Sequence, residues 1–234
     1  FTIAPPPVLA NGAVVNAASQ SPEISAGGLV SIHGRQLAPS ESQALRVPLP
    51  RTLGGVVVRF NGRDLPLLFT SPTQVNAQLP FDALGPGTLE VATENGAAGV
   101  PVFVAEVAPA IFSVPAEGNV VPAVVHANGQ IVTPEFPATP GEHLVVYMTG
   151  LGRTVEPLEA GDAAPRASRN AVTVPVSVDI GDSVITPSFA GLAPGAVGQY
   201  QVEFTLPEDA RSGAVPLRVL AEGVASNQVL LAVR

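Results

Sequence analysis

The chain has 234 residues, of which 46% are hydrophobic and only 13% are charged, and it contains 25 Pro and 23 Gly. This length suits two domains of about 100–120 residues, and the net charge of −8 excludes the basic surface that nucleic-acid binding requires. The absence of Cys excludes disulfides and thiolate chemistry, and no apolar run reaches the roughly 18 residues of a membrane span.

The first predicted element is an extended arm over residues 1–12. Phe1 and Ile3 alternate with polar or small residues, and three prolines then hold the chain extended before Val8 and Leu9. An apolar arm of this kind can join the sheet of a neighbouring subunit. We therefore predict that Phe1, Ile3, Val8 and Leu9 form an assembly site. The alternative is that the arm packs on its own domain.

Beyond the arm, apolar residues alternate with a period of two, which predicts β-strands. The clearest runs end at turn residues and cover 56–60, 174–180, 200–206 and 215–219. Helical periodicity is almost absent. Of the four Asn-Gly pairs, those at 61–62 and 128–129 lie between predicted strands, and each predicts a type I′ hairpin.

The sequence also repeats itself. Residues 74–80, QVNAQLP, match residues 201–207, QVEFTLP, and an Asp-Ala pair follows each segment. Upstream, residues 29–34 correspond loosely to residues 145–150. We therefore predict an all-β fold of two tandem immunoglobulin-like β-sandwich domains, residues 13–107 and 108–234. The junction between them is short and contains proline, which favours docked domains.

A series of motifs follows in a recognisable order. It comprises VVNAAS (14–19), ISAGGLVSIHG (24–34), LPRTLGGV (49–56), SPTQVNAQLP (71–80), APAIF (108–112), YMTGLG (147–152), FAGLAPG (189–195), GQYQV (198–202) and SN (226–227). The series resembles the Solibacter-type C-terminal domain family, a group of bacterial extracellular domains, over about residues 12–233. The resemblance implies export and a tandem β-sandwich. It implies no activity and no catalytic residues.

The sequence contains no recognisable arrangement of catalytic or metal-binding residues. His33, His126 and His143 are far apart and lack the spacing of metal ligands. The carboxylates at 156–162 and around Gly181 lack the spacing of known calcium loops, and we interpret them as solvated turn residues. No nucleophile elbow, phosphate loop or dinucleotide fingerprint occurs. We therefore predict no catalytic residue, no metal, no cofactor and a protein that is not an enzyme.

The composition also bears on the partner. The chain has no Trp and only two Tyr, and Tyr147 and Tyr200 lie in apolar strands, where core packing is expected, so a sugar-binding surface is weakly supported. All eleven basic residues are Arg, so the chain lacks the Lys side chains that commonly prevent unwanted pairing of edge strands. We predict a secreted structural protein that self-associates by β-strand addition, as a filament or matrix subunit. The alternatives are an extracellular glycan- or protein-binding module and a passive spacer domain of a larger secreted protein.

Overall fold

The computed structural model describes residues 5–116 and 118–234. Two of the predicted assembly residues, Phe1 and Ile3, lie outside this part of the chain. Within it the chain forms β-strands, turns and loops without any helix, so no helix there is long and apolar enough to cross a membrane. The predicted all-β class is confirmed.

Domain 1 consists of two facing sheets. Its strands are β1 (Val14–Asn16), β2 (Ile24–Ser25), β3 (Leu29–His33), β4 (Ser42–Gln43), β5 (Val57–Phe60), β6 (Arg63–Asp64), β7 (Leu67–Thr70), β8 (Gln74–Gln78), β9 (Gly85–Thr93) and β10 (Gly96–Ala105). One sheet has the order β1-β3-β8-β7-β4 and the other β2-β10-β9-β5-β6. All pairs are antiparallel except that of β2 with β10. This strand order is that of an immunoglobulin-like sandwich.

Domain 2 repeats this plan. Its strands are β11 (Ala110–Ile111), β12 (Ser113–Ala116), β13 (Asn119–Pro122), β14 (Val124–His126), β15 (His143–Thr149), β16 (Val176–Ile180), β17 (Ser183–Ile185), β18 (Phe189–Leu192), β19 (Tyr200–Thr205), β20 (Gly213–Ala221), β21 (Val224–Ala225) and β22 (Val229–Val233). One sheet has the order β11-β15-β19-β18, with β14 also on β15, and the other has β17-β16-β20 with β21 and β22 on β20. The hairpin β12–β13 is additional.

Each sandwich has its own apolar core. In domain 1, Ile32 and Val75 of one sheet and Leu89 of the other are fully buried in one cluster. In domain 2, Val146 and Val219 take part in a separate cluster. Burial of alternate residues along these strands follows from the period-two pattern of the sequence, because successive side chains of a strand point to opposite faces.

The predicted turns are formed to different extents. Asn61 and Gly62 have φ angles of 49° and 81° and join β5 to β6, as a type I′ hairpin requires. The turn at Asn128 and Gly129 is closed by the hydrogen bond from His126 N to Gln130 O at 2.9 Å. The segment after this turn forms no strand with β14 and pairs with it only through the isolated bridge of Ile131 with Val125. The first hairpin is therefore confirmed, and the second is reduced to a tight turn.

The strand registers define which residues of the two domains are equivalent. In domain 1, Ile32 lies between Val14 and Val75, and in domain 2, Val146 lies between Val124 and Val202. The rows 14–32–75 and 124–146–202 therefore correspond. The first strand of each domain gives the same correspondence, because Val8 pairs with Arg35 and Ala110 with Thr149, each three positions beyond Ile32 and Val146. This agrees with the predicted match of segments 74–80 and 201–207. The predicted match of residues 29–34 with 145–150 is wrong by a shift of two residues. Apolar alternation has a period of two, so the sequence pattern alone cannot detect such a shift.

Candidate binding surfaces

The titratable side chains do not converge on one site. His33 is exposed, and its Nε2 lies 3.0 Å from Gln20 Oε1. His143 Nε2 lies 3.6 Å from Glu203 Oε2 at a separate place. In the ranges that the structure describes, no group of three or more His, Cys, Asp or Glu side chains could hold a metal ion. The remaining candidates for a binding site are pockets, grooves and exposed strand edges.

Two of the carboxylates considered for calcium form surface ion pairs. Asp182 accepts from Arg211 at 2.8 Å, and both side chains are largely exposed. Glu159 lies 3.3 Å from Arg63 of the other domain. Exposed pairs of this kind contribute about 0–1 kcal/mol each. These residues therefore behave as solvated surface groups.

One well-shielded pair of a histidine and a carboxylate lies at the end of domain 2 that is distant from domain 1. His126 Nδ1 is 2.6 Å from Glu142 Oε1, and His126 Nε2 is 3.1 Å from the carbonyl oxygen of Phe136. Thr139 N also donates to Glu142 at 2.9 Å. Partial burial acts to raise the pKa of Glu142, but the hydrogen bonds from His126 and Thr139 outweigh it and lower the pKa. The groups line an open pocket of about 630 Å³.

The two tyrosines occupy different environments. Tyr200 is fully buried, its hydroxyl donates to the carbonyl of Gly152, and burial raises the pKa of this hydroxyl. Tyr147 is only half-buried, because its neighbours Val146 and Met148 are the residues of β15 that face the core. The expectation of core packing is therefore right for Tyr200 and wrong for Tyr147.

The described part of the arm pairs within its own domain. Val8 N donates to Arg35 O at 2.9 Å, and Arg35 N donates to Val8 O at 3.0 Å. The Val8 side chain is 52% exposed, whereas Leu9 packs against the core of domain 1. This placement follows the alternative of packing on its own domain. The role of these residues in assembly stays a prediction.

Domain 2 has a counterpart of this arm. Ala110 of β11 pairs with Thr149 of β15, in the same position relative to Val146 that Val8 has relative to Ile32. The arm therefore occupies the place of a first strand of the sandwich.

The two domains are joined through buried hydrogen bonds. The side chains of Gln78 and Thr149 are fully buried. Gln78 Oε1 accepts from Gly161 N at 2.7 Å, and Thr149 Oγ1 accepts from Leu29 N at 3.0 Å. Both bonds run from one domain to the other. Because buried polar groups are costly without their partners, these bonds favour one fixed arrangement of the domains.

A glycine allows the close approach at this joint. Gly150 has a φ of 85°, and its carbonyl accepts from Ala108 N at 2.9 Å. A Cβ atom at Gly150 would lie 1.9 Å from the carbonyl oxygen of Ala108. Only a residue without a side chain fits both the left-handed backbone and this contact.

An apolar groove of about 580 Å³ lies where the domains meet. Leu49 and Leu68 line it from domain 1, and Phe112 and Tyr147 line it from domain 2. The described lining contains no charged side chain, and one Ser and one Gln are its polar side chains besides Tyr147. The volume suits a ligand, but the lining offers few groups that could orient a sugar by hydrogen bonding.

The outer edge of β10 is the second notable surface. β10 pairs with β9 from Gly96 to Val104, whereas on the other side it pairs with β2 only at Val104 and Ala105. Residues 96–103 therefore have no partner strand on that side within the described chain. No residue of β10 is charged, and Phe103 is 66% exposed. Long uncharged edges of this kind are places where a further strand can add.

Sequence reasoning missed both surfaces. The groove depends on how the domains dock, which no local pattern encodes. The edge had a signal, because the Asn-Gly pair at 95–96 lies at the turn between β9 and β10, the longest hairpin among the described residues, yet this pair is not among those predicted as hairpins.

Comparison with known proteins gives weak matches. No protein-family model matches the chain, and no curated protein matches it. Among solved structures, SGBP-B from a complex xyloglucan utilization locus in Bacteroides uniformis matches with a TM-score of 0.30 and 13% identity, over 97% of this chain and 49% of that chain. The BSP domain of a biofilm associated protein matches with a TM-score of 0.31 and 12% identity, over 94% of this chain and 30% of that chain.

A tandem immunoglobulin pair of titin, A164-A165, matches with a TM-score of 0.25 and 10% identity, over 91% of this chain and 90% of that chain. The chain thus spans about half the length of the Bacteroides protein and nearly the whole titin pair. At TM-scores of this size the matches carry no argument about ligand, partner or assembly. The class of tandem immunoglobulin-like sandwiches follows from the strand order itself.

Proposed function

We propose that this protein is a non-catalytic, extracellular structural module that self-associates through β-strand addition. The observation that carries the proposal is the outer edge of β10, which is long, uncharged and without a partner strand among the described residues. Strand addition satisfies the backbone groups of such an edge. The extracellular location rests on the resemblance to the Solibacter-type C-terminal domain family, and membership of that family is part of the proposal.

The joint between the domains supports a structural role. Because Gln78 and Thr149 fix the two sandwiches against each other, the pair forms a stiff unit. A stiff subunit loses less conformational entropy on association than a flexible one, so more of the contact energy appears as affinity.

Light scattering coupled to gel filtration tests self-association. We expect the apparent mass to rise above the monomer mass of 23.7 kDa as the protein concentration increases. Added salt should strengthen association, because it screens the repulsion between copies that each carry a net charge of −8. A mass of one chain at every concentration and salt level would contradict the proposal.

Removal of residues 1–4 tests whether the arm contributes. This truncation keeps Val8 and Leu9, whose contacts belong to domain 1, so it separates assembly from folding. A smaller assembled fraction, with an unchanged melting temperature, would assign the association to the arm. An unchanged assembled fraction would assign it to another surface such as β10.

A binding module is the second candidate function, and the half-buried rings of Tyr147 and Phe112 in the interdomain groove favour it. A glycan array, with Tyr147→Ala as the control, tests the glycan version. Binding that disappears in the variant would support this role. A blank array at high protein concentration would reject the glycan version.

A further inference from the structure

The direction of the backbone groups of β10 follows from its neighbours. Thr88 of β9 lies opposite Pro101. Asn61 N donates to Thr88 O at 3.0 Å, and Thr88 N donates to Asn61 Oδ1 at 2.9 Å. Both backbone groups of Thr88 therefore point away from β10. The pair of Thr88 and Pro101 is thus a non-hydrogen-bonded pair, and the backbone groups of Pro101 point to the outer edge.

Alternation along the strand gives the rest of this edge. If Pro101 faces outward, so do the backbone groups of Ala97, Gly99, Phe103 and Ala105. Ala105 O accepts from Ala26 N at 3.0 Å, which agrees with this assignment and shows that β2 covers the far end. Ala97 and Gly99 each direct an N–H and a C=O outward, and neither has a backbone partner there within residues 5–116 and 118–234.

We infer that this edge pairs with the same edge of a second copy of the chain, in antiparallel orientation, with Ala97 of each copy opposite Gly99 of the other. The inference rests on the proposed self-association and names its contact. Two such edges are self-complementary, because each offers the same donors and acceptors. β10 carries no charge, so it is a place where two copies of an acidic protein meet without direct repulsion.

Pro101 selects the register. When Ala97 faces Gly99, four N–H groups and four C=O groups pair, and no bond requires the N–H that Pro101 lacks. When Gly99 faces its own copy, each Ala97 carbonyl lies opposite Pro101 and receives no hydrogen bond. Each register forms four hydrogen bonds and leaves one carbonyl unpaired in each copy, but only the second directs the ring of Pro101 at a carbonyl of the partner strand. The register with Ala97 opposite Gly99 keeps this ring beyond the paired residues and is therefore favoured. The resulting contact is isologous and closes as a dimer, so a filament would need a further contact.

Single-cysteine variants test this register, since the natural chain has no Cys. The register places Ala98 opposite Ala98 of the second copy, in a non-hydrogen-bonded pair with Cα atoms about 4.5 Å apart. That distance is within the range of a disulfide. Ala97 of the two copies would be diagonal neighbours about 7–8 Å apart, which is too far.

We expect A98C to form a disulfide-linked dimer at least about tenfold faster than A97C under mild oxidation. Ala97 is the more exposed of the two positions, so random collisions would favour A97C. Equal rates, or a faster A97C, would overturn the inference. If the natural chain still associates in light scattering, that result leaves the proposed self-association standing. A natural chain that is monomeric throughout would remove both.

Two proline variants complete the test. A97P removes an outward N–H at an edge position where proline is tolerated, so it should weaken dimerisation at least about tenfold by the loss of two hydrogen bonds. P101A restores an outward N–H that lies beyond the paired residues of this register, so it should change dimerisation by less than about twofold. A clear tightening would favour the register with Gly99 opposite Gly99 and overturn the inferred one. Melting temperatures report whether either variant fails to fold. Unchanged dimerisation in folded A97P would exclude this edge, and the arm of residues 1–4 would become the better explanation.

Discussion

The same end of the sandwich carries different residues in the two domains. In domain 1 this end presents Asn16 and Gln78, and the registers place His126 and Thr205 at the equivalent positions of domain 2. Asn16 Nδ2 donates to a carbonyl of domain 2 at 3.0 Å, and Gln78 accepts from domain 2 at 2.7 Å. His126 instead pairs with Glu142 of its own domain, and Thr205 is exposed.

The difference shows what makes one end a joint and the other a free end. The joint has buried polar side chains that each find one of their partners in the neighbouring domain, whereas the free end satisfies its polar groups internally or with water. Copies of the chain therefore cannot stack end to end through the contacts that join domains 1 and 2. Self-association needs a different surface, which agrees with the inferred role of β10.

The largest expected effect comes from Gly150→Ala. The new Cβ would lie 1.9 Å from the carbonyl oxygen of Ala108, and the backbone at φ 85° is itself unfavourable for alanine. We expect the free energy of unfolding in urea to fall by more than about 3 kcal/mol.

Gln36 provides the matched control. It occupies the equivalent position in domain 1, with a φ of 58°, but it is exposed and no second domain lies against it. Gln36→Ala should therefore change the free energy of unfolding by less than about 0.5 kcal/mol. Because Gln36 already has a side chain, this control does not change the backbone strain. Gly85→Ala, where φ is 79° and a Cβ atom would have nothing within 4 Å, adds strain alone and should cost about 1–2 kcal/mol. Equal losses for Gly85→Ala and Gly150→Ala would show that backbone strain, rather than the joint, is responsible.

Gln78→Ala should have the next largest effect. The substitution leaves the buried N–H of Gly161 and the carbonyl of Gly27 without partners. We expect a loss of about 2–4 kcal/mol in the free energy of unfolding. Thr205→Ala, at the equivalent exposed position of domain 2, should cost less than about 0.5 kcal/mol. A small loss for Gln78→Ala would mean that water replaces the lost bonds and that the joint is open.

Most of the fold could be predicted from sequence, for a physical reason. Burial on one face of a strand imposes a period of two, so the strands near residues 56–60, 176–180 and 200–206 were identifiable locally. The match of segments 74–80 and 201–207 likewise reflects equivalent strands, β8 and β19. The register between strands is set by long-range packing, and the match of 29–34 failed for that reason.

The candidate surfaces were less accessible to sequence reasoning. Tyr147 sits in an apolar run, but alternation places it on the outer face while Val146 and Met148 face the core. The period-two pattern predicts that the strand has a core face and an outer face. Whether a second domain covers the outer face depends on how the domains dock. Likewise, the arm residue Leu9 is apolar whether it packs in its own domain or in another, so composition could not decide between these outcomes.

Leu9→Ala tests the packing of the arm. Leu9 is half-buried against the core of domain 1, and we expect its truncation to lower the free energy of unfolding by about 1–2 kcal/mol. Val8, which is 52% exposed, is the control, and Val8→Ala should cost less than about 0.5 kcal/mol. The equivalent residue of domain 2, Ile111, is fully buried, so Ile111→Ala should cost more than Leu9→Ala. No effect of Leu9→Ala would leave this segment available to another copy.

The smallest effect concerns the free end, where Glu142 pairs with His126. Because the folded protein lowers the pKa of Glu142, this carboxylate contributes stability above its unfolded pKa, which is about 4.3, and that stability is lost as the pH falls through the lower, folded pKa. Unfolding in urea between pH 7 and pH 3 should therefore show a steeper decline for the natural chain than for Glu142→Gln. Glu135→Gln, in the same pocket but at an exposed position, should keep the natural pH profile. Parallel profiles for the natural chain and Glu142→Gln would mean that the free end does not hold its charges through internal pairing, and the contrast with the joint would then rest on Gln78 and Asn16 alone.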